Sequence, residues 1–286
     1  YMASNLVKML EKEGKPDSNF GQFYKESETF DKKLEDVINK VLEQGQLIIV
    51  ANKQMGKTNT AMFLARKLIE KHNTKNLIFD LPMVWRFRFD SIPYISHERI
   101  PHIPILDNLI IDLPYTDSVR TRNAIVEIMM EDFIRKREIK EKYEGDTKFT
   151  NVYLVEEMQN VWGSYSLNGQ IGRFALKIFS ECANYGMVII GITQRLADVS
   201  TKIIGRSRYL LIGGLNEDND IRKISRMANK QIAEKVKVLK RGQFIFWDRE
   251  KPEYVYQIDF PLFNNHNQKP YLYTNGKNGE GHIKKI

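Results

Sequence analysis

Short apolar runs recur along the chain, separated by longer stretches in which apolar residues return at helical spacing. Leu47-Ile48-Ile49-Val50, Leu77-Ile78-Phe79, Leu109-Ile110-Ile111, Val152-Tyr153-Leu154-Val155, Val188-Ile189-Ile190-Gly191-Ile192 and Tyr209-Leu210-Leu211-Ile212 read as six strands. Residues 31–44 place Leu34, Val37, Ile38, Val41 and Leu42 on one face, which predicts a helix just before the first strand. Further helices are predicted over 61–71, 117–143, 173–185 and 218–230, with a short one near Ile232. Residues 242–247 and 254–258 read as a late hairpin. Residues 82–114 hold five of the nine prolines, which excludes a long helix there. Strands alternating with helices predict an α/β fold with a mainly parallel sheet.

The ends read differently. Residues 1–30 are polar and mixed, and predict a short helix over 5–13 followed by a loosely ordered arm. Residues 263–286 are rich in Asn, Gly and Lys and predict a flexible tail. The α/β domain is expected over 31–262, and the chain shows no internal repeat.

The first strand runs straight into Ala51-Asn52-Lys53-Gln54-Met55-Gly56-Lys57-Thr58, followed by Asn59 and then the helix over 61–71. Strand, loop, Gly-Lys-Thr and helix are the context of a phosphate-binding P-loop. The backbone N–H groups of residues 52–59 would cradle polyphosphate at a helix N-terminus. Lys57 would reach the β- and γ-phosphates, and the Thr58 hydroxyl would ligate Mg²⁺. Ala51 departs from the pattern, which has glycine at that position, so this turn must tolerate a Cβ.

The fourth apolar run ends in Glu156-Glu157, the arrangement of a Walker B acid pair. The first acid would orient the Mg²⁺ shell, and the second, Glu157, is the candidate general base. Glu156 stands where Asp is commoner; its extra methylene allows metal contact through water. Asp112 and Asp80 also end apolar runs, but neither is followed by a second acid. The next strand ends in Thr193-Gln194-Arg195, and Gln194 is placed to hydrogen-bond the γ-phosphate or the attacking water. Together these features predict a site for ATP and Mg²⁺.

With 286 residues, 42% of them hydrophobic, the chain is long enough for one large core. A formal net charge of +8 favours a polyanionic partner. Cys182 is the only cysteine, which excludes an intrachain disulfide and fits a reducing, cytoplasmic setting. The five histidines show no ligand spacing. No apolar run approaches the roughly 18 residues of a membrane span, so no membrane insertion is expected, and the N-terminus carries no signal-peptide pattern.

The segments 51–58 and 152–157, together with Ile192-Thr193-Gln194-Arg195-Leu196-Ala197-Asp198-Val199, resemble the HerA/FtsK superfamily of RecA-like DNA-pumping ATPases. The last is the most diagnostic, because members carry a T-Q-R-x-x-D-V-like run after this strand. Residues 208–213, 216–221 and 239–244 are similar too, and the resemblance covers roughly residues 40–260. It implies a RecA-like P-loop fold, ATP hydrolysis, and a homo-hexameric ring that drives double-stranded DNA through its pore. The compact chain is similar to viral packaging motors and their plasmid relatives, with a capsid or portal protein as a further partner. Its Lys, Ile, Asn and Tyr usage suits a virus or plasmid of a thermophilic archaeon, acting in the host cytoplasm. Such rings complete each site with an arginine from the neighbouring subunit; Arg206 and Arg208 are the first candidates and Arg195 the next.

DNA contact would be made to the phosphate backbone. The candidates are the polar loop 163–172, with Arg173 and Lys177 after it, a second basic loop at Lys202 and Arg206, and the basic stretch from Arg222 to Lys237. Trp85-Arg86-Phe87-Arg88-Phe89 alternates aromatic and basic residues, which fits a strand with a buried aromatic face or a stacking surface for single strands.

Overall fold

A computed structural model describes residues 29–81, 84–85, 93–96, 108–113, 118–143, 150–261, 271–275 and 281–285. The predicted helix over 5–13, nearly all of the N-terminal arm, and Arg86 to Phe89 lie outside the described residues.

The elements run α1 (Phe30–Gln44), β1 (Gln46–Val50), α2 (Lys57–His72), β2 (Lys75–Asp80), β3 (Pro93–Ser96), β4 (Leu109–Asp112), α3 (Ser118–Tyr143), β5 (Asn151–Val155), α4 (Gln159–Trp162) and α5 (Gly169–Glu181). They continue with β6 (Met187–Thr193), α6 (Thr201–Arg206), β7 (Tyr209–Ile212), α7 (Asp218–Met227), α8 (Lys230–Val238), β8 (Gln243–Asp248), β9 (Val255–Asp259), β10 (Tyr271–Asn275) and β11 (Gly281–Lys285). All eleven strands form one sheet in the order β11-β10-β3-β4-β2-β5-β6-β1-β7-β8-β9. The eight strands from β10 to β7 are parallel. Antiparallel hairpins close both edges, β10 with β11 and β8 with β9.

The apolar runs are continuous because the central strands are buried on both faces. Within β1, Ile48 and Val50 join the core beneath α3 to α8, while Leu47 and Ile49 join the core beneath α1 and α2. Tyr153 and Val155 of β5 divide from Val152 and Leu154 in the same way, as the two-residue period of a strand requires. The first helix buries the predicted Leu34, Val37, Ile38 and Val41.

Three local expectations change. β3 lies inside the proline-rich stretch and begins at Pro93, a strand position where the missing N–H is tolerated. Helix α5 starts at Gly169, so the polar loop spans only 163–168; Ile171, Ala175 and Ile178 extend the helical packing further upstream than the glycines suggested. Within the residues read as a tail, β10 and β11 pair on the sheet edge beside β3.

Candidate functional site

Three loops meet at the carboxyl ends of β1, β6 and β5, which are neighbours in that order, and this is where open α/β sheets bind ligands. The loop after β1 turns sharply. Gln54 and Gly56 have positive φ, 65° and 101°, and Gly56 leads directly into α2, so a Cβ at position 56 would be strained. The loop is tied to its surroundings by its backbone. Asn52 N–H donates to Gly214 O at 2.9 Å, and Gly242 N–H donates to Met55 O at 3.0 Å. The Asn52 amide also bonds Asn216 Oδ1, and Asn59 Nδ2 donates to Pro261 O at 2.8 Å. Lys53 and Gln54 are exposed.

Ala51 is accommodated by a glycine just past the neighbouring strand, β7. A Cβ built on Gly213 would lie 2.7 Å from the Ala51 Cβ, so the missing side chain at 213 makes room for the methyl at 51.

Lys57 is buried, and its Nζ donates to Asn52 O at 3.0 Å. Burial lowers its pKa, against the opposing pull of the Glu156 and Glu157 charges. The Thr58 hydroxyl donates to Glu156 Oε1 at 2.9 Å, which brings together the two residues expected at a metal.

Glu156 is 3% exposed and directly follows β5. Burial pushes its carboxyl up to about 7, opposed by hydrogen bonds from Trp85 and Thr58 and reinforced by the charges of Asp80 and Glu157. The Trp85 indole Nε1 donates to Glu156 Oε1 at 3.0 Å. Trp85 is fully buried and is thus a member of this site, a role the alternating pattern of 85–89 did not suggest. Asp80, the rival acid, accepts the Val84 and Trp85 N–H groups at 2.9 and 2.8 Å, and so fixes the turn that delivers the indole. Asp112 pairs with Asp80 at the end of β4, two strands from β5.

Glu157 has φ +49°, a conformation that is uncommon outside glycine and costs on the order of 1 kcal/mol. Gln194 Nε2 donates to its Oε1 at 2.6 Å, and Gln159 Nε2 donates to its Oε2, also at 2.6 Å. The Gln159 side-chain Oε1 in turn accepts from Thr193 Oγ1 at 2.9 Å. Gln159 was missed because a polar residue two positions past an acid pair carries no sequence signal of its own. Thr58, Glu156, Glu157 and Gln194 therefore form two linked pairs on three adjacent strand ends.

Known structures share this fold. The genome packaging NTPase B204 of Sulfolobus turreted icosahedral virus 2, in complex with ATP-gammaS, superposes with a TM-score of 0.56 at 17% identity, over 77% of this chain and 99% of that one. The chain has the fold of a packaging NTPase. The bacterial conjugative coupling protein TrwBdeltaN70 matches with a TM-score of 0.59 at 9% identity, over 80% of this chain and 87% of that one. VirB4 of Thermoanaerobacter pseudethanolicus matches at 0.57 and 10% identity, over 78% and 91%. These neighbours are HerA/FtsK-type P-loop ATPases, the group that the sequence resembles. No protein-family model matches the sequence, and no curated protein matches it.

The arginine candidates separate. Arg208 lies just before β7, and its Nε and Nη2 each bond Asp248 at 2.9 Å while Nη1 meets Glu250 at 2.9 Å. Within its own chain this guanidinium is held by the carboxylates of Asp248 and Glu250. Arg206 is exposed on the last turn of α6 and donates to Lys202 O at 2.9 Å. Arg195 is exposed beside Gln194, 3.8 Å from Asp198. The basic stretch forms α7 and α8. Among the described residues no helix is long and apolar enough to cross a membrane.

Proposed function

We propose that this chain is an ATPase that moves double-stranded DNA as a homo-oligomeric, RecA-like ring, in viral genome packaging or plasmid DNA transfer. The observation that carries the reading is the convergence of the P-loop, the acid pair and Gln194, with Thr58 on Glu156 at 2.9 Å and Gln194 on Glu157 at 2.6 Å. The packaging and conjugation proteins of the same fold support it.

In this reading the amides of residues 52–59 and the Lys57 ammonium hold the triphosphate of ATP. Thr58 and Glu156 would hold Mg²⁺: they offer hard oxygen donors within one coordination sphere of each other, and one or two carboxylates beside a phosphate are what this ion takes. The bound ion would neutralise developing phosphate charge. Glu157 accepts the proton of the attacking water, and Gln194 orients that carboxylate. Arg206, Arg208 or Arg195 of a neighbouring subunit completes the site, in a ring of six. Charge +8 supplies the attraction to the phosphate backbone. Loop 163–168, with Tyr165 91% exposed at its tip, faces outward and is suited to grip DNA in a pore. The motor works in the cytoplasm, docked on a capsid or portal protein.

The test is ATP hydrolysis with and without duplex DNA, with Lys57→Ala and Glu157→Gln as controls. Several-fold stimulation by DNA, lost in both variants, is the expected result. Hydrolysis indifferent to DNA would replace this reading with a nucleotide-gated assembly or secretion protein. Strand separation without translocation would favour a helicase-type or AAA+-like replication ATPase.

A further inference from the structure

Between α6 and α7 lies a cleft of about 420 Å³ whose charged lining is entirely cationic: Arg222, Lys223, Arg226 and Arg249. Thr201 and Ala197 complete the part that matters here. Two of the cations are partly buried. Lys223 donates to Leu196 O and Val199 O at 3.0 and 2.9 Å, and Arg249 donates to Ile204 O and, at 3.0 Å, to Ser207 O. Those partners are neutral carbonyls. Among the described residues no carboxylate pairs with Lys223, Arg226 or Arg249, and Arg222 reaches only the exposed Asp218, at 4.0 Å. Burial lowers the pKa of both Lys223 and Arg249; the cost is partly offset for Lys223 by the charges of Asp220 and Asp198, and by no anion for Arg249. For Lys223 the Asp220 and Asp198 charges act only from a distance. Asp220 turns its Oδ1 to the Ala197 N–H at 2.7 Å.

We infer that this cleft binds a phosphate group, and, given the reading under Proposed function, that the phosphate belongs to the backbone of the nucleic acid. Guanidinium groups in a fork with a hydroxyl donor are the chemistry that phosphate oxygens select. The volume suits one or two nucleotide units rather than a macromolecular surface.

The cleft is also wired to the nucleotide site. Lys223 grips residues 196–199, which directly follow Gln194-Arg195. The same segment pairs with the base of loop 163–168 through a bridge between Val199 and Gly163, and Ser200 N–H donates to Trp162 O at 2.9 Å. A phosphate drawn onto Lys223 competes with these carbonyls for its ammonium. It thereby acts on the segment that positions Gln194 against Glu157.

The experiment titrates a 20-base-pair duplex into wild type and Arg222→Ala/Arg226→Ala, at low and moderate salt, with a saturating non-hydrolysable ATP analogue. Both side chains are exposed, so the fold is expected to survive their loss. The double variant is expected to bind DNA tenfold or more weakly at low salt. Its slope of log affinity against log salt should be shallower by about 1–2, with nucleotide affinity unchanged. Unchanged DNA affinity and slope would overturn the cleft as a nucleic-acid site. Should wild type bind no DNA, the motor reading falls on its own, and inorganic phosphate becomes the probe, used in Lys57→Ala to silence the P-loop. A phosphate-dependent rise in Tm that Arg222→Ala/Arg226→Ala removes supports the cleft as a site for free phosphate; no rise overturns it.

Discussion

The Gln194 side chain donates to Glu157 Oε1 at 2.6 Å, joining the end of β6 to the acid that follows β5. Gln159 holds the other oxygen of the same carboxylate, and Thr193 holds Gln159. The carboxylate is fixed from both sides, so its direction depends on the segment after β6. Gln194→Ala is expected to lower kcat for ATP by about 10- to 100-fold, less than the roughly 100- to 10,000-fold of losing a general base itself. KM should change by less than about threefold. Steady-state hydrolysis measures both, and a rise in KM with kcat preserved would place Gln194 in nucleotide binding instead.

Glu156 titrates at about 7 within the fold, against 4.5 for an ordinary glutamate. For an acid raised in this way, the folded state binds more protons than the unfolded state between those two values. Stability is therefore highest below pH 4.5, falls as the pH rises towards 7, and is level above it. Glu156→Gln removes the buried charge. Without nucleotide, its Tm is expected to exceed wild type at pH 8 and to converge with it near pH 5, while hydrolysis in Mg²⁺ is lost. Melting curves across that range decide the matter; parallel pH profiles for the two proteins would contradict the burial argument.

Ala51 and Gly213 share one small space. Gly213→Ala forces two Cβ atoms to 2.7 Å and is expected to destabilise the fold by about 1–3 kcal/mol. Ala51→Gly in the same chain should recover part of that loss, although Phe244 also approaches position 213. Denaturant melts of the two single variants and the double variant form a cycle, and strict additivity would show that the positions are independent.

Arg208 and Asp248 form a bidentate pair with Asp248 1% exposed. Burial alone would raise the Asp248 carboxyl, but the Arg208 hydrogen bonds, the Glu250 N–H and the arginine charge outweigh it and hold it below its ordinary value of 3.8. An acid lowered in this way contributes stability above its unfolded value and loses it as the pH falls through the folded one. Asp248→Asn should cost about 1–3 kcal/mol at pH 7. The difference from wild type should shrink below about pH 4, as followed by thermal melts.

Much of this was legible in the sequence because the central parallel strands are short and apolar, and β1, β4, β5, β6 and β7 each lead on to a helix. The P-loop, Glu156-Glu157 and Gln194 stand at the ends of such strands, so their order along the chain already implied their meeting. What stayed hidden depends on contacts across the fold. Trp85 donates to Glu156 while Asp80 holds the backbone N–H groups of Val84 and Trp85. The space that Gly213 leaves for Ala51, and the clamp of Asp248 on Arg208, join residues far apart in sequence. β3 escaped notice because its first residue is a proline, and the start of α5 because its first turn is built from Gly, Gln and Ile.

The central claim is movement along duplex DNA driven by Glu157-dependent hydrolysis. It is tested most directly by displacement of a third strand bound at the far end of a linear duplex, with ATP, for wild type and Glu157→Gln. The account predicts ATP-dependent displacement by wild type, with a lag that lengthens with the length of the duplex, and none by the variant. Vigorous ATP hydrolysis by wild type without displacement on any duplex would contradict it.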